Sequence, residues 1–359
     1  MKTRFALALL LCCAALPAAA EVNSKLDISI YGYVKTDFIY SDHGTLTNEY
    51  RSYASSGRKD DAFRATGRGT RFGLNISSGA NVSGKLESDF YGLTDSLAGT
   101  AGLVAGIRLR HAYVTVKAGK YELLAGQTLY PVSADAPETL NDYSMGNSGY
   151  LYYRAPQLRL TYAPVKKLKL IAAVVRPTSK LTDAEGTHSS LPGFQGKAEL
   201  ELGKAKFSLA GAAGIWKSTV TQETGDVSAL VAAFNVPLAP FTVSGEAWMG
   251  RNLTDFQAGL GNYGYGARAV PSKGGYLALK YKPADTLWFN LIYGVDDPKN
   301  SRVVKATDKI KNTTALANAV VRLYDCVETG LEVSNLDTSY KGAAHRSAMN
   351  YQLTVKLFF

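Results

Sequence analysis

The chain reads as an all-β protein, a transmembrane antiparallel up-and-down β-barrel of 16 strands, and three observations carry that reading. Tyr, Phe, Gly and β-branched residues gather in short runs typical of sheet. Apolar and polar residues alternate with period two over stretches longer than the usual ~5 to 6 residue strand of a soluble sheet. The connections between these stretches alternate between short and long, as turns on one rim and loops on the other require. Beyond residue 20 no apolar run approaches the ~18 to 20 residues of a membrane helix, so any membrane crossing must be made by a closed sheet.

The first strand spans residues 25 to 41. Leu26, Ile28, Ile30, Gly32, Val34, Thr36, Phe38 and Tyr40 alternate with Lys25, Asp27, Ser29, Tyr31, Tyr33, Lys35 and Asp37. The last repeats the pattern, with Met349, Tyr351, Leu353, Val355, Leu357 and Phe359 on one face and Asn350, Gln352, Thr354 and Lys356 on the other. Fourteen further strands are predicted near 70–78, 82–91, 107–117, 121–130, 150–162, 167–176, 194–202, 205–216, 227–236, 241–250, 275–282, 286–295, 312–324 and 326–336. Short links fall at 78–81, 118–120, 163–166, 203–204, 237–240, 283–286 and around Asp325. Long ones fall at 42–69, 92–106, 131–149, 177–193, 217–226, 251–274, 296–311 and 337–348. An even strand number returns both termini to the short-turn rim, and closure leaves no exposed sheet edge.

A soluble sandwich or lipocalin-like barrel would also alternate, with its apolar face inward. Against it, the polar faces carry charges at mid-strand (Lys85, Glu87, Asp89; Lys197, Glu199, Glu201), and the apolar faces are dotted with Gly and Ala. A lipid-facing wall need only be apolar, whereas a protein core must be densely filled.

The N-terminus predicts export. Lys2 and Arg4 precede an apolar run from Phe5 to Leu16, then Pro17 and Ala18-Ala19-Ala20, the pattern of a secretory signal peptide over residues 1–20. Residues 21–359 then form a single barrel domain. Leu11 and Cys12, preceding Cys12 and Cys13, are not the small residues that a lipid-acceptor cysteine wants. Past the leader only Cys326 remains, so no internal disulfide framework is expected. Without Lys2 and Arg4 the formal charge falls from +10 to +8. That excess is spread without basic runs, which argues against nucleic acid as a partner and suits an anion-attracting surface or channel.

Several segments together resemble a known family. Ile30-Tyr31-Gly32-Tyr33-Val34-Lys35-Thr36-Asp37-Phe38, Thr70-Arg71-Phe72-Gly73-Leu74, Gly84-Lys85-Leu86-Glu87-Ser88-Asp89-Phe90, Arg108-Leu109-Arg110-His111-Ala112-Tyr113-Val114 and Ala125-Gly126-Gln127-Thr128 are similar to the trimeric Gram-negative outer-membrane porins, and within them the DcaP-like group. The likeness is dense over roughly the first 160 residues and continues as pattern to Phe359. It implies an outer-membrane homotrimer surrounded by lipid bilayer and lipopolysaccharide, with each barrel enclosing a pore narrowed by its third external loop. It also implies that the terminal residues Val355, Leu357 and Phe359 serve as the signal for the barrel-assembly machinery. DcaP-like members often carry a helical extension before the barrel, whereas here the first strand starts at Lys25, close behind the predicted cleavage site.

In such a channel selection is electrostatic, so lumen-facing charges at one height are the candidate site. Strands running down from outside open with Arg71, with Arg108 and Arg110, and with Arg154 followed by Arg159. Lys35 lies in the upper half of strand one on lumen parity. Together these residues predict a basic ladder, and Arg suits it because its guanidinium stays charged and takes a carboxylate bidentately. Each could instead be a solvated wall residue or pair with Glu87 or Asp89. Loop three, 131–149, is the candidate constriction loop. Its acids Asp135, Glu138 and Asp142 are expected to face the ladder and set up a transverse field. The first loop, with Arg51, Arg58, Lys59, Arg64 and Arg68, either folds over the mouth or reaches a neighbouring subunit.

The expected function is passive diffusion of small hydrophilic, anionic solutes such as organic acids. A non-specific pore, or a plugged structural or adhesive barrel, is the alternative. Enzymatic chemistry and cofactors are not expected. His43, His111, His188 and His345 are scattered, and neither H-E-x-x-H nor G-x-S-x-G occurs. Gly259-Leu260-Gly261-Asn262-Tyr263-Gly264 matches G-x-G-x-x-G only as text, since no helical pattern follows it.

Overall fold

The computed structural model describes residues 26–45, 49, 51–55, 57, 60–92, 105–176, 191–217, 222–303 and 305–359. The predicted leader, Arg58, Lys59 and His188 lie outside them.

Among the described residues, seventeen strands form one antiparallel sheet closed on itself. In chain order they are β1 (Asp27–Ser41), β2 (Ala62–Thr66), β3 (Arg71–Ser78), β4 (Val82–Asp89), β5 (Arg108–Ala118), β6 (Tyr121–Leu129), β7 (Arg154–Val165), β8 (Leu168–Val175) and β9 (Gly193–Leu202). The remainder are β10 (Ala205–Lys217), β11 (Thr224–Leu238), β12 (Phe241–Arg251), β13 (Pro271–Ala284), β14 (Leu287–Pro298), β15 (Lys309–Tyr324), β16 (Val327–Tyr340) and β17 (Arg346–Phe358). The barrel has 16 staves, because β2 and β3 are two pieces of one. Ser41 to Asp37 pair with Ala62 to Thr66, and Tyr33 to Asp27 pair with Arg71 to Ser77.

That interruption was not predicted; residues 62–66 were expected to be loop. Its cause is local. Opposite the break, the Lys35 backbone N–H donates to Thr70 Oγ1 at 3.0 Å in place of a ladder bond. A Cβ at Gly69 would overlap the Asp142 carboxylate, so the missing side chain leaves room for loop three to reach the wall.

Closure comes from β1 and β17, paired from Tyr33–Phe358 to Ser41–Asn350. Beyond the last strand residue, Gly32 and Phe359 exchange backbone hydrogen bonds at 3.1 Å in each direction. Val355, Leu357 and Phe359 all point outward and are exposed.

Strand parity separates two environments. On β14 to β16, Leu291, Tyr293 and Leu331 face outward, each more than half exposed, while Asn290, Asn318 and Glu332 face inward and are buried. Removing water from an outward Leu stabilises only if lipid or another chain covers it, so this apolar belt is a membrane-facing wall.

The interior is not uniformly polar. Loop three, 130–153, is pinched at its base by Tyr130 N–H donating to Tyr153 O at 2.9 Å and folds into the barrel. Strand β7 therefore starts at Arg154, four residues later than predicted, and Tyr150 to Tyr153 belong to the returning arm of the loop. The loop after β12, residues 252–270, also turns inward. Leu253 and Phe256 pack with Trp216, Trp248, Val227 and Val231 into a buried apolar cluster.

Candidate functional site

Loop three crosses the lumen and is fastened to the far wall by named contacts. Leu140 N–H donates to Glu332 Oε2 at 2.6 Å, Leu151 N–H to Glu246 Oε1 at 2.8 Å, and Trp248 Nε1 to Gly149 O at 2.8 Å. Gly149 adopts φ +108°, and a Cβ there would collide with the Gly275 carbonyl, so the arm lies directly on the wall. On the near side, Lys35 Nζ donates to Leu140 O at 2.8 Å and pairs with Asp142 at 2.8 Å and Asp37 at 3.0 Å.

Between loop three and the β3 to β7 wall lies a cavity of about 390 Å³. Arg71, Arg108, Arg110, Arg154 and Lys356 line it, with Glu87 and Asp142 as its only lining acids among the described residues. Arg71, Arg108 and Arg154 are the first residues of β3, β5 and β7, strands that all descend from the long-loop rim, which puts them at one height. Opposite them stand Ala136, Pro137, Thr139 and Ser144 of loop three, with Tyr150 and Tyr152 stacked 5.1 Å apart.

A protein-family model described as Gram-negative porin matches residues 6–307 of the chain. The chain belongs to that family. This porin is therefore an outer-membrane barrel, and its fold agrees with solved channels. The outer-membrane channel DcaP of Acinetobacter baumannii is 21% identical with a TM-score of 0.80, covering 93% of this chain and 97% of its own. An anion-selective porin from Comamonas acidovorans is 14% identical with a TM-score of 0.65, covering 93% and 100%. The trimer form of OmpT from Vibrio cholerae is 11% identical with a TM-score of 0.58, covering 93% and 99%. No relative is matched among curated proteins.

The arginines of this porin differ in how they are held. Arg108 grips Asp89 bidentately, at 2.9 and 2.6 Å, and Arg110 spans Glu87 at 2.7 Å and Asp89 at 2.8 Å. The register explains this, since Asp89 lies opposite both Arg71 and Arg108 on its two neighbouring strands. Arg71 has only a loose pairing with Asp142, at 3.8 Å, and stacks over Tyr33. Among the described residues Arg154 and Lys356 have no carboxylate in salt-bridge reach; Lys356 sits over the Tyr33 ring.

Three expectations need correcting. Lys35 is 1% exposed and anchors loop three from behind, so it does not line the pore. Arg159 lies outside the cavity, tied to Gln157 Oε1 at 3.0 Å and to the Leu129 carbonyl. The acids of loop three do not form a negative face opposite the ladder. Glu138 turns away to Trp288 Nε1, at 2.6 Å, and to Lys280. Asp135 lies by Lys197 and Tyr276, and Asp142 is consumed by Lys35. Desolvation and hydrogen bonding drive this outcome, because a carboxylate entering the barrel must find a cation or donors on the wall.

Burial alone would push the Asp142 carboxyl up. The Lys35 ammonium, aided by Arg71, outweighs it and holds the group at about 2. Lys356 was not among the predicted site residues. Its signal was available, because closing the barrel sets β17 beside β1 and pairs Lys356 directly with Lys35.

The described residues Arg51 and Arg68 of the first loop turn inward. Arg51 is buried against Glu332 at 3.5 Å and Gln352, and Arg68 pairs with Glu49 at 2.8 Å.

Proposed function

We propose that this porin is a water-filled channel for passive diffusion of small hydrophilic anions, organic acids among them. The observation that carries the reading is the sign of the constriction: among the described residues five cations and two acids line it, and Arg154 and Lys356 have no carboxylate in salt-bridge reach. Removing one cation ~6 Å from a permeating ion, even at the dielectric of water, costs about 0.7 kcal/mol, or roughly threefold in local anion occupancy. The narrow, low-dielectric wall focuses that field further.

The test is the reversal potential under a salt gradient in a planar bilayer, wild type beside Arg154→Ala/Lys356→Ala. These two residues can be removed without stranding a buried acid. Anion preference that falls by up to about tenfold in the double variant supports the reading. Cation preference in the wild type overturns it.

The plugged-barrel reading draws on the apolar filling between β8 and β12. Absence of stepwise conductance in the same experiment would favour it.

The protein is exported by a leader over residues 1–20, which N-terminal sequencing of outer-membrane material would check. It assembles as a homotrimer in lipid and lipopolysaccharide. Val355, Leu357 and Phe359 present the assembly signal from the lipid face of β17. It performs no covalent chemistry and needs no cofactor.

A further inference from the structure

Among the described residues, none of loop one borders the cavity, yet the loop shares its wall anchors with the loop that does. Two inward side chains each hold both loops. Glu332 on β16 accepts the loop-three amides of Leu140 at 2.6 Å and Asn141 at 3.3 Å, and faces the loop-one guanidinium of Arg51 at 3.5 Å. Asn312 on β15 donates through its amide nitrogen to Ser52 O of loop one at 2.9 Å and to Asn147 O of loop three at 2.8 Å.

Glu332 is fully buried, and a buried carboxylate is stabilised only while cations and donors surround it. Arg51 is the only cation within salt-bridge reach of it among the described residues. Its guanidinium also donates to Gln352, which in turn donates to Leu140 O at 3.1 Å. Arg51 therefore touches the Leu140 segment of loop three by two routes, through Glu332 on the amide side and through Gln352 on the carbonyl side.

We infer that Arg51 is a positioning residue for the constriction: loop one braces loop three through the shared Glu332 and Gln352, and the two loops hold or loosen together. Withdrawing the Arg51 charge leaves Glu332 short of a counter-ion, and the hydrogen bonds that fix Leu140 and Asn141 weaken although neither residue is touched. The brace rests on the reading that loop three borders the conducting path only for its effect on current, not for its mechanics.

Hydrogen exchange on the purified porin in detergent tests the mechanics without any current. In Arg51→Met, peptides covering 138–148 exchange about tenfold faster than in wild type, and Arg51→Lys restores part of the protection. Arg268→Met removes an exposed outer cation that touches neither loop one nor loop three, and leaves the same peptides unchanged. Tyr340→Phe is the milder second variant should Arg51→Met fail to fold. The Tyr340 hydroxyl donates to Ala54 O of loop one, so its loss speeds exchange in loop three by a smaller factor. Wild-type exchange in 138–148 with faster exchange confined to loop one overturns the brace. So does an equal effect from Arg268→Met. In bilayers, Arg51→Met adds open-channel noise whichever ion the channel prefers, so a wrong sign of selectivity and a missing brace give different results.

Discussion

Two arcs of this barrel interior obey one sheet geometry and reach opposite surfaces. Along β3 to β7 the inward positions carry Arg71, Glu87, Asp89, Arg108, Arg110 and Arg154 around an open cavity. Along β8 to β12 the inward positions carry Ala173, Val175, Ala210, Val227, Ala229, Val231 and Trp248, packed under loop three and loop 252–270. Inward parity therefore does not mean polar. It means whatever the space inside demands, water on one side and folded chain on the other, and the channel is displaced toward the charged wall.

The sharpest way to break the comparison is Trp248→Ala. If the filled arc is a true core, losing a buried Trp there costs about 3 to 5 kcal/mol, and the hydrogen bond to Gly149 O goes with it. Thermal unfolding in detergent reads this directly. A variant that melts with wild type would mean the apolar arc is loosely packed and the two arcs are not distinct.

Asp89→Asn probes the charged wall and should have a smaller effect. It removes the acid that Arg108 and Arg110 share, yet Arg110 keeps Glu87. Deleting one negative charge beside the cavity raises anion preference by roughly threefold in reversal-potential measurements. A fall in anion preference would show that the arginines need Asp89 to stay in place more than the pore benefits from its loss.

How much of this contrast is visible in the sequence follows from what alternation can encode. Period two fixes which face a residue occupies, and Arg71, Arg108 and Arg154, each opening a descending strand, all border the cavity. It does not encode what lies across the lumen. Trp248 and Glu246 share the parity of Thr242 and Ser244, and a large indole among lumen residues is the visible sign that something fills the space there. Leu253, Phe256 and Leu260 in the following loop are the matching sign, since an external loop has little use for buried apolar side chains. Strand β2 escaped because Gly67 and Gly69 interrupt the period just where loop three needs room. The partners of Asp135, Glu138 and Asp142 escaped for a different reason. Each is set by a fold-back of loop three, which no local pattern records.

The smallest expected effect concerns pH at the latch between loop three and the barrel wall, where Asp142 meets Lys35 and Arg71. Its folded pKa, about 2, lies below the ordinary Asp value near 3.9. A depressed carboxylate contributes stability that is fully present above the ordinary value and is lost as pH falls through the folded one. Between pH 7 and pH 4 the latch should therefore stay ionised, and loop-three hydrogen exchange, corrected for the intrinsic chemistry of exchange, should not change on its account. Asp142→Asn supplies at pH 7 the neutral side chain that acid would produce only near pH 2, and should expose the loosened loop. If wild type at pH 4 already exchanges like Asp142→Asn, the Lys35 pair is not what fixes the carboxylate, and the charged wall ends short of loop three.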